Sequence, residues 1–69
     1  MAITSYLLNL LPVGEENAVS GLMLWEQLHM WSVASVKHNL QQMADSGLIE
    51  RKSVRRGPHE TRLYYKPRI

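Results

Sequence analysis

The side chains most suited to metal or proton chemistry are His29, His38 and His59, and they lie on three separate stretches of the chain. Metal ligands recur at short fixed spacings, because one turn or one helix face must present two of them at once. These three histidines have no such spacing. Serines occur near them, but nothing sets a nucleophile, a base and an orienting carboxylate in order. No glycine-rich phosphate loop is present. The absence of cysteine removes disulfides and cysteine zinc sites and suits a reducing compartment. The expectation is a protein that is not an enzyme and has no metal or cofactor.

The charged residues are more informative. Residues 1–36 contain no Lys or Arg and three acids, Glu15, Glu16 and Glu26. Residues 37–69 contain every basic residue: Lys37, Arg51, Lys52, Arg55, Arg56, Arg62, Lys66 and Arg68. Only Asp45, Glu50 and Glu60 oppose them. The two parts carry about −3 and +5, behind a net charge of only +2. A chain divided this way presents a cationic end to a polyanion. The alternative is an ordinary solvated surface. Lysines and arginines on an edge strand also block aggregation, which fits Lys52 or Lys66 better than two adjacent arginines at a turn.

Sixty-nine residues suffice for one domain, expected over 1–69. The longest apolar run, Tyr6 to Val13, is interrupted by Asn9 and Pro12 and is too short to cross a bilayer. The chain has no cationic leader segment, and a cytoplasmic location is expected.

The periodicity places these residues on elements. Ile3, Tyr6, Leu7 and Leu10 predict a first helix over Thr4 to Leu11, with Thr4 as N-cap and Pro12 as stop. A turn over Gly14–Asn17 and a very short strand at Ala18–Val19 follow. Ser20 caps a second helix, expected over Gly21 to His29. Ser32 caps a third, Val33 to Asp45, where Val33, Val36, Leu40, Met43 and Ala44 make the cleanest helical period in the chain. Gly47 ends it in a left-handed conformation. Two strands, Leu48–Val54 and Thr61–Lys66, flank a Gly57-Pro58 turn expected within Arg55–Glu60. The fold class is therefore α+β, three helices followed by a basic C-terminal hairpin.

That order, together with the stretch from Ser32 through Gly47-Leu48-Ile49-Glu50-Arg51 to Gly57, resembles small bacterial and phage winged helix-turn-helix transcriptional regulators. It is similar to the multiple-antibiotic-resistance regulators and to very small fimbrial-operon regulators. The turn before the third helix reads His29-Met30-Trp31, where such families more often have glycine, an aliphatic residue and serine. The resemblance implies a sequence-specific, double-stranded DNA-binding regulator associated with the nucleoid. Its third helix would enter the major groove, and its hairpin wing would lie on the backbone or minor groove.

The residues agree with that implication on physical grounds. A major groove about 12 Å wide accepts one helix. The polar face of the third helix offers Ala34, Ser35, His38, Gln41 and Gln42, with Lys37 at its flank. Serine, histidine and glutamine can meet base edges. Small Ser32, Ala34 and Ser35 allow close approach of the helix start to phosphate. Arg51, Lys52, Arg55, Arg56 and Arg62 supply the hairpin's positive charge, with Arg55 and Arg56 expected at the tip. Leu8, Leu22, Met23 and also Trp31 are apolar side chains that look left over from the core. They would form a weak homodimer seam or, in the alternative reading, the contact of a protein-interaction module on the same fold.

Overall fold

The first helix carries its apolar residues on one side, and its packing decides where the rest of the chain goes. In the computed structural model, which describes residues 3–68, helix α1 spans Ile3–Leu10. Leu7 is fully buried, and Leu11 continues the same face just past the helix end. Thr4 lies inside α1 rather than capping it, so the expected start is one residue late or more. Pro12 stops the helix, and a 3-10 turn occupies Glu15–Asn17.

Strand β1 is Val19–Ser20, one residue later than expected. Ser20 then caps α2, Gly21–Trp25, its hydroxyl accepting the Met23 N–H at 3.3 Å. The second helix is four residues shorter than the sequence predicts. After Trp25 the backbone tightens: Gln27 N–H bonds Leu24 C=O and Leu28 N–H bonds Trp25 C=O, both three residues back. The Trp25 indole N–H donates to the Trp31 carbonyl at 2.8 Å and closes the connection to the next helix. Trp31 stacks at a tilt on Tyr6, ring centres 5.4 Å apart.

Helix α3 spans Val33–Asp45, as the periodicity predicts. The Ser32 hydroxyl accepts the Ser35 N–H at 3.1 Å. At the other end Gly47, with φ +84°, lets Gly47 N–H reach Ala44 C=O and Leu48 N–H reach Met43 C=O. This double closure satisfies carbonyls that a helix end otherwise leaves without partners.

Strands β2 (Glu50–Arg56) and β3 (His59–Tyr65) pair antiparallel from Glu50↔Tyr65 to Arg56↔His59. Both run further into the expected turn than the sequence suggests, because two residues suffice there. Gly57 takes φ +59° and Pro58 is held near its fixed negative φ, the sign pattern of a type II′ hairpin turn. Strand β1 pairs with β3 through Val19↔Tyr64, giving a three-stranded antiparallel sheet in the order β1-β3-β2. The architecture is thus α+β, three α-helices and a small three-stranded antiparallel sheet.

The core joins the three helices to β3. Leu7, Leu11, Leu24, Leu28, Val36, Leu40, Met43, Ile49 and Tyr64 form one buried cluster. Each fully buried aliphatic side chain contributes about 1.5–3 kcal/mol relative to exposure. Leu8, expected to be surplus, is half-buried against this cluster, whereas Leu22 and Met23 are exposed. Among the described residues no helix is long and apolar enough to cross a membrane.

Candidate nucleic-acid interface

Helix α3 is fixed through Val36, Leu40 and Met43, all buried. Because neighbours on a helix surface are three and four residues apart, its remaining faces follow from that stripe. Ala34, Lys37, His38, Gln41 and Gln42 are exposed. Lys37 and Gln41, one turn apart, face the hairpin across a cleft of about 440 Å³. Ser20, Gly21, Leu22, Glu60, Thr61, Arg62 and Tyr64 complete its walls. Gly21 is buried where α2 crosses α3, and a β-carbon there would meet the Lys37 Cγ at 3.0 Å. That close crossing brings α2 and α3 together beside the cleft, where Lys37 is exposed.

The first turn of α3 is engaged in its own cap. The Ser32 hydroxyl donates to the Ser35 hydroxyl at 3.1 Å, and the Ser35 carbonyl accepts from Asn39 Nδ2 at 2.8 Å. Ser35 is half-buried. Of the expected helix residues, Lys37 and Gln41 therefore stand together in the cleft, and His38 and Gln42 are not among its walls.

The hairpin separates its arginines by face. Side chains alternate along a strand, and the buried Tyr64, paired with Arg51, marks the face that turns toward the helices. By the register Arg51, Ser53 and Arg55 share that face with Glu60 and Arg62. Three ion pairs lie on it: Arg51–Asp45 at 3.6 Å, Arg55–Glu60 at 3.9 Å and Arg62–Glu60 at 3.9 Å. Lys52, Arg56 and His59 belong to the opposite face, where Arg56 borders a shallow depression with Val54, Thr61 and Leu63. Arg55 and Arg56, taken together in the sequence as one basic tip, thus point to opposite sides.

Glu15, Glu16 and Glu50 lie toward the other end of the hairpin with Arg68, and none of them lines this cleft. Glu16 pairs with Arg68, and its carboxyl is held below the usual range by a hydrogen bond to its own backbone and then by Arg68, against some desolvation. Tyr65 is pushed above its ordinary value by desolvation, then by Glu15 and Glu50.

Leu22, expected at a partner surface, also lines the cleft, and Glu60 and Thr61 are cleft residues that sequence reasoning did not single out. Their placement follows from sheet closure, which no local pattern announces. Compared with known proteins, the chain matches no family model, no curated protein and no solved structure.

Proposed function

We propose that the protein is a winged helix-turn-helix regulator that binds double-stranded DNA in a sequence-specific way. Helix α3 is its groove-reading element, and the β2–β3 hairpin is its wing. The observation that carries this reading is the meeting of Lys37 and Gln41 of α3 with Arg62 of the hairpin across one open cleft. A rigid helix about 20 Å long with an exposed polar face suits a major groove. An arginine-bearing ribbon beside it suits the adjoining phosphates or the narrow minor groove. Base discrimination would come from Gln41, His38 and Gln42, and affinity from Lys37, Arg55 and Arg62. Ser32 and Ala34 would bring the start of α3 close to a phosphate.

The test is a mobility shift on short random-sequence duplex at low and moderate salt. Tight binding that weakens steeply with salt is expected, because each neutralised phosphate releases counterions. Absence of binding at low salt would contradict the reading.

A second reading, a protein-interaction module or weak homodimer, is favoured by the exposure of Leu22, Met23 and Met30 at 49%, 53% and 68%. Leu8, half-buried against the core, offers less apolar surface than these three. Sedimentation at high protein concentration distinguishes it. A clean monomer there removes the homodimer, and full retention of DNA binding by Met23→Ser removes any role of that patch in the DNA complex.

A further inference from the structure

The helix-facing side of the hairpin is cationic except for one carboxylate, and that carboxylate is divided between two arginines. Glu60 Oε2 lies 3.9 Å from Arg55 Nη2, and Glu60 Oε1 lies 3.9 Å from Arg62 Nε. Arg55 is its cross-strand partner, and Arg62 is two residues on along the same face. Glu60 also lines the cleft with Lys37 and Gln41. It therefore sits where a phosphate would have to sit in order to meet the same cations.

We propose that Glu60 is a built-in counter-anion, resting on the proposed DNA-binding reading. Its carboxylate occupies Arg55 and Arg62 in the free protein, gives way to backbone phosphate on binding, and so holds down affinity for duplex of any sequence. Both pairs are at the outer limit of an ion pair, and the side chains are well exposed: 77% for Arg55, 42% for Glu60 and 49% for Arg62. Exposed pairs of this kind are weak, so a phosphate can displace them. Arginine–phosphate contacts are charge-assisted and short, and are the stronger alternative. The fold does not need Glu60 as a brace. The strand ladder and the Gly57-Pro58 turn already fix the hairpin register. Glu60 differs in this from Asp45, which pairs with Arg51 alone at the last turn of α3.

The experiment is a titration of wild type, Glu60→Gln and Glu60→Ala against short random-sequence duplex at several salt concentrations, with folding checked by circular dichroism. Glu15→Gln serves as the control. It changes net charge equally but lies in the 3-10 turn beside Tyr65, away from the cleft. Glu60→Gln and Glu60→Ala are expected to tighten binding on the order of three- to tenfold at low salt. Each should also steepen the salt dependence by up to about one unit, because no displaced carboxylate then takes up a cation as DNA binds. Glu15→Gln is expected to shift binding less than about twofold. If wild type binds and the Glu60 variants bind equally or more weakly, the counter-anion role is overturned. If Glu15→Gln tightens binding as much as Glu60→Gln, net charge explains the effect and the local role is overturned. If wild type itself does not bind duplex at low salt, the DNA-binding reading fails first, and this inference falls with it.

Discussion

Helix α3 and the β2–β3 hairpin face the same cleft, but the fold holds them by different means. Helix α3 is anchored by three buried side chains and capped at both ends, so its polar face is rigidly tied to the core. From Arg55 to Arg62 every hairpin residue is exposed, and the tip is held by its ladder, its two-residue turn and exposed ion pairs at Glu60. Under the proposed DNA-binding reading, the difference would let one small core support two kinds of contact. Side chains that must meet base edges belong on the anchored element, because a misplaced hydrogen-bond donor reads nothing. Side chains that meet phosphates tolerate a compliant ribbon, because charge attraction depends weakly on angle.

Substitutions in the two regions sharpen this contrast. Leu40→Ala should have the largest effect. It opens a cavity beneath α3 and should cost about 2–5 kcal/mol, enough to nearly unfold a domain this small. Thr61→Ala on the exposed hairpin should stay within about 0.5 kcal/mol. Thermal melts of the two variants check the comparison, and equal melting temperatures would break it. Loss of a cap on α3 should be intermediate. Ser32→Ala should cost about 1 kcal/mol by leaving the Ser35 N–H without its acceptor, and Gly47→Ala a similar amount through its positive φ. Chemical denaturation measures both.

Smaller still is the difference between the two faces of the hairpin. Arg62→Ala should weaken duplex binding more than Arg56→Ala, because only Arg62 lines the cleft. Equal losses would mean that the ribbon binds through both faces. The smallest effect expected is on acid stability. Glu16 has a folded-state pKa below that of the unfolded chain, so its contribution is complete above the unfolded value, near 4.5, and is lost as pH falls through the folded one. Glu16→Gln should therefore lower stability slightly at neutral pH, flatten the acid limb of a pH–stability curve and converge with wild type below the folded-state value.

What could be read from the sequence was mostly what local physics decides. The extent of α3, both serine caps and the left-handed Gly47 depend on residues within one turn of each other, and they were predictable. The early end of α2 was not, because it rests on an indole bonded to a carbonyl six residues later. The faces of Arg55 and Arg56 were hidden for another reason. Strand alternation says that neighbours diverge, but only the pairing of Arg51 with buried Tyr64 tells which side each takes. Leu8 looked surplus because helical spacing alone could not show that it packs partly against the core. The cleft itself, with Glu60 between two arginines, required the closure of β3 against β2 and the approach of α3.

The most direct test of the account is the salt dependence of duplex binding by wild type and by the Arg55→Ala, Arg62→Ala double variant. The account predicts tight wild-type binding at low salt and a slope that flattens by about two units in the double variant, one for each lost phosphate contact. Absence of wild-type binding at low salt, or an unchanged slope in the double variant, would contradict it.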